Sequence, residues 1–234
     1  MRLVDQLSLG ERELVALVGG GGKSTLLFQL GHELAAGGKH VVLTTTTKMG
    51  RDQLTGDLQL CETIECAAQP SSRPIMLVTG GDSHKITGPP PEHLDRLFAE
   101  STLDFLIVEA DGAHGRPLKA PANHEPVVPS TSTTVVIAIG VDAVGVKLDE
   151  ASHRIEQATA FSGLAADHLL TAEDCATILV HPSGALRTVP EAARVLVAIT
   201  KVSSPDRQEA AERIASRVTE HPRVDGAILI PDTS

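Results

Sequence analysis

Aromatic residues are nearly absent from this chain. Of its 234 residues four are Phe, and it has no Trp and no Tyr. The core must therefore be built from Val, Leu, Ile and Ala, and a hydrophobic content of 41% is ordinary for a folded protein. The lack of stacking side chains also argues against a protein that binds single-stranded nucleic acid.

Basic residues are also few. The chain has 20 Lys and Arg against 30 Asp and Glu, a formal net charge of -10 at pH 7. Such a charge repels nucleic acid and anionic membranes, so we expect neither as a partner. No apolar run approaches the roughly 18 residues of a membrane span. Charges at Asp5, Glu11 and Arg12 argue against a signal peptide, so we expect a cytoplasmic protein.

Cysteine is scarce as well. Cys61, Cys66 and Cys175 form an odd set without a C-x-x-C pair. Such a set in a cytoplasmic protein predicts reduced thiols. Cys61 and Cys66 could instead form a metal or redox site, but four intervening residues match no common ligand spacing.

Apolar runs alternate with helical patterns along the chain. Residues 23–38 carry Leu at three- to four-residue spacing and end in two glycines, which predicts a helix. The apolar runs are continuous rather than alternating, which indicates strands covered on both faces. The pattern predicts an α/β fold with a mainly parallel sheet. Predicted strands are 13–19, 40–47, 73–80, 104–110, 133–140, 194–200 and 225–231; further predicted helices are 90–100, 151–164, 171–179 and 205–220.

Two segments lack this periodicity, residues 80–91 and residues 111–131. Both are too long for plain connectors, so we expect them to be functional loops. There is no internal repeat. We expect residues 1–234 to form a single domain, with a subdivision near residue 140 as the alternative.

The stretch LVGGGGKSTLLF, residues 17–28, predicts a phosphate-binding loop and a P-loop NTPase-like three-layer fold. It follows a predicted strand and opens a predicted helix, and Lys-Ser stands where the helix begins. Glycines let backbone N–H groups curl around a phosphate, and the helix N-terminus adds partial positive charge. We expect a nucleotide, ATP or GTP, to be bound by Gly19, Gly20, Gly21, Gly22, Lys23, Ser24 and Thr25.

Three side chains of this loop have expected roles. Lys23 would reach the β- and γ-phosphates as a catalytic residue, Ser24 would bind Mg²⁺, and Thr25 would contact the α-phosphate. The spacing is the short G-x-x-G-K-[ST] form, because the common form needs a glycine where Leu17 stands. The alternative is a glycine-rich turn followed by an exposed lysine.

Two carboxylates end the predicted strand at residues 104–110. Glu109 and Asp111 are two residues apart, so in an extended chain they point to the same face. A phosphate loop needs such a carboxylate to hold Mg²⁺ or to orient water. We expect catalytic roles for both, with Asp111 and Ser24 binding the metal and Glu109 orienting water. The alternative is a pair of solvated acids.

Taken together, the motifs resemble the YqeC family, which is associated with selenium-dependent molybdenum hydroxylases. The matching blocks are GGGGKST (19–25), TTTTKM (44–49), EADGAHGRPLKAPANHEPVVP (109–129), IGVDAVG (139–145) and HR (153–154). The resemblance implies a P-loop nucleotide-binding accessory protein whose partner is an apo-hydroxylase or a molybdenum-cofactor maturation protein. Within these blocks we expect residues that bind a substrate or form a switch: Thr46, Thr47, Lys48, His114, Arg116, Lys119, Glu125 and Arg154.

The base of the nucleotide stays open. In that family the final strand often ends in a sequence like Asn-Lys-x-Asp, which in GTPases recognises guanine. Here the residues are Thr200-Lys201-Val202-Ser203, and Asp206 has the wrong spacing to stand in. ATP and GTP are therefore both candidates.

Three functions remain open from the sequence. The first is a nucleotide-hydrolysing maturation factor that works as a switch. The second is a small-molecule kinase or ATP-dependent ligase with an anionic substrate, clamped by Arg116, Lys119 and His124. The third is a non-catalytic module that grips a phosphate-bearing cofactor, disfavoured because the G-x-G-x-x-G pattern is displaced and no acid ends the second strand.

Overall fold

The computed structural model describes residues 2–232. The strands in this range are β1 (Glu13–Gly19), β2 (Val41–Thr45), β3 (Lys48–Gly50), β4 (Gln59–Cys61), β5 (Ile75–Leu77), β6 (Gly80–Gly81), β7 (Lys85–Thr87), β8 (Phe105–Glu109), β9 (Leu118–Lys119), β10 (Thr134–Gly140), β11 (Ser152–His153), β12 (Arg194–Val202) and β13 (Gly226–Pro231). The helices are α1 (Leu3–Leu7), α2 (Lys23–Ala36), α3 (Ile64–Ala67), α4 (Pro91–Glu100), α5 (Leu148–Ala151), α6 (Ile155–Ser162), α7 (Ala172–Leu179) and α8 (Pro205–Thr219).

Eight of the strands within residues 2–232 form one central sheet, in the order β13-β12-β10-β1-β8-β2-β5-β4. Each neighbouring pair is parallel. All the carboxyl ends therefore lie at one edge, where ligands of such sheets bind. The glycine loop follows the centrally placed β1, and Glu109 ends its neighbour β8.

Helices cover both faces of this sheet, which gives three layers. Val15 and Leu17 of β1 pack with α1 and α2 in one hydrophobic cluster. Ala16 and Val18 point to the opposite face and pack with α6, α7 and α8. Because every residue of β1 is buried, the strand has the continuous apolar pattern of a two-sided layer. The predicted three-layer α/β fold with a mainly parallel sheet is confirmed.

The segment 80–91, which we expected to be a functional loop, contains regular secondary structure. It contains β6 and β7, which pair antiparallel with each other and with β3 in a small second sheet. Its strands are two and three residues long, too short for an alternating pattern to show in the sequence. We call this sheet, with the turn Arg51–Gln53 that follows β3, the antiparallel ribbon. The predicted helix at 151–164 also begins late, at Ile155, because residues 152–153 pair with β9.

The prediction that all three cysteines are reduced was wrong. Cys61 at the end of β4 and Cys66 in α3 form a disulfide, while Cys175 is free and buried. The side chain of Thr63 caps α3 by accepting a hydrogen bond from Cys66 N. The two Cα atoms are 5.7 Å apart, a usual separation for a disulfide.

Within residues 2–232 no helix combines the length and the apolar character that crossing a membrane requires.

Candidate functional site

The glycine loop is wedged between β10 and the start of the 109–129 segment. Gly20 N donates to Ala138 O (2.9 Å) and Gly21 N donates to Arg116 O (3.0 Å). Gly21 has φ +58, and a Cβ there would lie 2.1 Å from the backbone nitrogen of Gly140. A side chain at this position would therefore displace the loop from β10.

The loop ends at the N-terminus of α2. Gly22 is the N-cap in the left-handed region and, having no side chain, caps no donor. The first helical hydrogen bond runs from Leu26 N to Gly22 O (3.0 Å). The N–H groups of Lys23, Ser24 and Thr25 therefore belong to the helix start, whose donors have no intrahelical acceptor. They are available to an anion.

The side chain of Lys23 is buried beneath the loop. Its Nζ donates to Gly19 O at 2.6 Å and lies 3.1 Å from Asp111 Oδ1, without the alignment of a hydrogen bond to that oxygen. Asp111 is 1% exposed, and its other oxygen accepts from Gly19 N at 3.0 Å. Lys23 is thus an ammonium held at the loop by one carbonyl and one carboxylate.

Ser24 is paired with Glu109. Ser24 Oγ donates to Glu109 Oε2 at 2.8 Å, and the parallel register that sets Glu109 opposite Leu17 of β1 brings the two together. Burial raises the pKa of Glu109, although the charge of Lys23 and the hydrogen bond from Ser24 oppose that rise. We expected Ser24 and Asp111 to bind the metal. In the structure Ser24 is hydrogen-bonded to Glu109, and Asp111 forms a salt bridge with Lys23.

The donor atoms fit a magnesium ion that is completed by a ligand. A hydroxyl and a carboxylate oxygen are the kind of ligand Mg²⁺ takes, and it commonly combines one or two carboxylates with substrate phosphates. Among residues 2–232 no group of three or more His, Cys, Asp or Glu could hold a metal by itself. Any Mg²⁺ at Ser24 and Glu109 would therefore arrive with phosphate oxygens.

A chain of alternating charges runs inward from the loop. Lys119 Nζ lies 3.7 Å from Asp111 Oδ2 and 3.0 Å from Glu125 Oε2, and the same glutamate oxygen accepts from Arg154 Nε at 2.9 Å. Lys119 is 2% exposed and Glu125 7%. Burial alone would raise the pKa of Glu125, but the hydrogen bonds and charges of Arg154 and Lys119 outweigh it and lower that pKa to about 2. We call Lys23, Asp111, Lys119, Glu125 and Arg154 the charge chain.

Two histidines stack beside this chain. The ring centroids of His114 and His153 are 4.5 Å apart with an interplanar angle of 25°. Burial, followed by the charges of His114, Lys119 and Arg154, lowers the pKa of His153 to about 4. His153 is therefore neutral at pH 7.

A cavity of about 360 Å³ opens above the loop, and its lining is basic. The antiparallel ribbon and the 112–116 turn form the walls opposite α2. In a chain of net charge -10, this concentration of cations marks an anion site. The charged side chains of the lining are Lys23, Lys48, Lys85, Arg116 and Lys201, with Asp52 and Glu109.

Residues 15–156 match the model of the YqeC protein family. A curated relative from Escherichia coli strain K12, described as uncharacterized protein YqeC, is 32% identical over 219 residues. That alignment covers 89% of this chain and 83% of the relative. The chain belongs to the YqeC family. The glycine loop, both carboxylates and the whole charge chain fall within the matched residues.

The residues that we expected to bind a substrate or to act as a switch separate into two groups in this YqeC protein. Lys48, His114 and Arg116 line the cavity. The others contact side chains or backbone elsewhere in the protein. Lys119, Glu125 and Arg154 belong to the charge chain. Thr46 Oγ1 donates to Val127 O (2.8 Å), and Thr47 Oγ1 lies 3.4 Å from Thr45 Oγ1.

Sequence reasoning missed the contribution of the ribbon. Gln53 Nε2 lies 3.4 Å from Ser24 Oγ, while Gln53 Oε1 accepts from Gly50 N at 2.8 Å. Lys85 lines the cavity from the neighbouring strand β7. The one signal in the sequence was the non-periodic stretch 80–91, which marked a functional segment but not its partner β3.

Proposed function

We propose that this YqeC protein binds a nucleoside triphosphate, ATP or GTP, with Mg²⁺ at the glycine loop and hydrolyses it. Its role would be that of a cytoplasmic accessory factor in the maturation of a selenium-dependent molybdenum hydroxylase. The observation that carries the nucleotide site is the free helix start of α2 beside the Ser24–Glu109 pair, under a basic cavity. The hydroxylase client rests on the family resemblance alone.

The site is suited to a polyphosphate rather than to a single carboxylate. Phosphates bind at helix N-termini because the N–H donors and the helix dipole both favour negative charge. Lys23 adds an ammonium at that point, and Lys48, Lys85 and Arg116 add positive charge on the facing walls. Several cations around one cavity can neutralise the several charges of a triphosphate chain.

Mg²⁺ would neutralise charge on the β- and γ-phosphate oxygens. Ser24 and Glu109 would hold it. This assignment leaves Glu109 unavailable to orient the attacking water. Gln53 is the neutral polar side chain beside Ser24, and we give it that positioning role.

The charge chain connects the proposed phosphate site with the 109–129 segment through consecutive ion pairs. When Lys23 turns from Asp111 to a phosphate, Asp111 keeps Lys119, which also pairs with Glu125. Nucleotide binding therefore changes the balance of charges along this segment. A client that contacts the 109–129 segment could read that change as a switch.

A phosphate-release assay tests the proposal. The purified protein with ATP or GTP and Mg²⁺ should release phosphate slowly, and Lys23→Ala should abolish release. Lys39→Ala is the matched control, because Lys39 precedes β2 at the opposite edge of the sheet. No nucleotide binding by the wild type, or equal release by Lys23→Ala, would overturn the proposal.

A small-molecule kinase or ligase is the second candidate. The observation in its favour is the pair of lysines, Lys48 and Lys85, on the ribbon wall across the cavity from the loop. They could hold an anionic acceptor. A kinase should show almost no hydrolysis without its acceptor, whereas a switch should show slow basal hydrolysis.

A further inference from the structure

A second, smaller cavity lies on the other side of the α2 N-terminus. Its volume is about 120 Å³. It shares Gly22, Thr25 and Lys201 with the basic cavity, so the two spaces meet at the start of the helix. Its walls come from α2, from the end of β12 and from the end of β13, and Leu26, Ile230 and Pro231 make part of them apolar.

The sheet order decides which end of a bound triphosphate faces this cavity. Glu109 on β8 and Ser24 would hold Mg²⁺, and with it the phosphate end of a bound nucleotide, on one side of the loop. β10, β12 and β13 lie on the other side of β1. The nucleoside end therefore extends away from β8, toward β12 and β13.

The strand ends around the cavity are fixed in place. Thr200 Oγ1 donates to Gly21 O at 2.6 Å, which ties β12 to the glycine loop. Lys201 has φ +61, and its Nζ lies 2.6 Å from Asp142 Oδ2. Arg207 donates to Lys201 O at 3.3 Å. The aliphatic stem of Lys201 is thus held beside the cavity, where it can cover the face of a planar ring.

We propose that this cavity receives the base of the nucleotide and that Asp232 reads it as guanine. Among the described residues 2–232, Asp232 supplies the carboxylate that lines this cavity. Guanine presents two donors, N1–H and the 2-amino group, on one edge, and a carboxylate accepts from both. Adenine presents a lone pair at N1, which a carboxylate repels. The inference rests on the proposed function, which leaves the base open.

Neither Ser203, at the Asp position of the Asn-Lys-x-Asp pattern, nor the nearby Asp206 is placed to bind the base. Ser203 stands where the pattern has Asp, and its Oγ accepts from Arg207 at 3.0 Å. Asp206 lies in the first turn of α8 and is not part of the cavity lining as described. Asp232 follows β13, about thirty residues later, where spacing within the motif could not reveal it.

The test is a set of titrations with GTP, ATP and XTP, each with Mg²⁺. Wild type should bind GTP about tenfold or more tightly than ATP, as expected for hydrogen bonds to a charged acceptor. Asp232→Asn should weaken GTP about tenfold and strengthen XTP, because an amide can accept from N1–H and donate to the 2-oxo group. Asp206→Asn is the matched control and should leave all three affinities unchanged.

The outcomes separate this inference from the proposed function. Equal affinity for ATP and GTP in the wild type, with binding lost in Lys23→Ala, would keep the proposed function and overturn the guanine assignment. A GTP preference that survives in Asp232→Asn would overturn the role of Asp232. Absence of binding to every triphosphate would overturn both.

Discussion

At the scale of single residues, Glu125 shows how the buried charges of this protein depend on one another. It accepts a hydrogen bond from Arg154 and lies 3.0 Å from Lys119. The side chain of Lys119 is fully buried, whereas that of Arg154 is 31% exposed. Removing one member of a buried pair leaves the other charge uncompensated, which costs more than the pair contributes. The charge chain is therefore sensitive to neutral substitutions that preserve shape.

We predict that Glu125→Gln lowers the free energy of unfolding at pH 7 by about 3 kcal/mol. This is the low end of the cost of breaking a buried ion pair, because Lys119 still has Asp111 as a partner. The pKa of Glu125 is lowered from its ordinary 4.5 to about 2. The carboxylate therefore stabilises the fold above about 4.5, and this stabilisation is lost as pH falls toward 2.

Chemical denaturation from pH 7 down to pH 3 measures this difference. The gap between wild type and Glu125→Gln should narrow as the pH falls, and the exposed Glu62→Gln should match wild type throughout. A gap that stays constant with pH would contradict the ion-pair explanation.

Glu109 leads to a second prediction, on metal dependence. Burial raises its pKa, and a metal ligand must be deprotonated. As the pH is lowered, Glu109 should therefore become protonated at a higher pH than a carboxyl group with an ordinary pKa. Mg²⁺-dependent nucleotide binding should weaken at that same higher pH. Glu109→Gln should remove most of the Mg²⁺ dependence and, with it, this pH dependence. Titrations with and without Mg²⁺ between pH 5 and pH 8 check this; an unchanged Mg²⁺ effect in the variant would exclude Glu109 as a ligand.

Sequence reasoning found these residues but not their partners. Glu109 and Asp111 are two apart, and that spacing placed both at one strand end without showing which would meet Ser24. The register of β1 with β8 decides it, and register depends on packing across the whole sheet. Lys119 and Glu125 meet through an irregular segment, whose path has no periodic signal.

At the scale of elements, the antiparallel ribbon is the part that sequence patterns did not reveal. The parallel strands could be predicted because long apolar runs covered on both faces are distinctive. The ribbon strands are two or three residues long, and one is a pair of glycines. Their pairing is visible only in three dimensions, although the ribbon contributes Lys48, Gln53 and Lys85 to the site.

We predict that Gln53→Ala slows hydrolysis about tenfold or more and leaves nucleotide affinity nearly unchanged, because positioning a water matters only in the transition state. Single-turnover phosphate release and equilibrium titration, run on the same sample, separate the two quantities. A loss of affinity equal to the loss of rate would show that Gln53 holds the nucleotide instead.

The disulfide between β4 and α3 leads to a prediction about stability and thiol reactivity. It closes a loop of about six residues, for which chain-entropy arguments suggest about 2 kcal/mol. Because β4 is the edge strand on the far side of β2 and β5, reduction should lower the melting temperature by a few degrees without changing nucleotide binding.

Thiol alkylation followed by mass spectrometry, with and without reductant, measures the state of Cys61 and Cys66. Because the two residues are joined in the disulfide, both should escape alkylation unless reductant is added first. Buried Cys175, whose pKa burial raises to about 12, should react only after unfolding. Alkylation of Cys61 and Cys66 without reductant would contradict the disulfide.

At the scale of the whole molecule, fold and charge distribution point to the same edge of the sheet. The chain as a whole is acidic, with a net charge of -10, but basic side chains lie close together near the carboxyl ends of its parallel strands. The sequence predicted this edge from the glycine loop and the strand pattern. It could not predict which distant segments would complete the walls. That residues 1–234 form a single domain stays a prediction.

Calorimetric titration of the purified protein with ATP and with GTP, each with Mg²⁺, tests the central claim most directly. We predict saturable binding of at least one nucleotide at or below millimolar concentration. Lys23→Ala should lose it, and Lys39→Ala should retain it. No heat of binding from either nucleotide, or an unchanged affinity in Lys23→Ala, would show that the glycine loop does not hold a nucleotide.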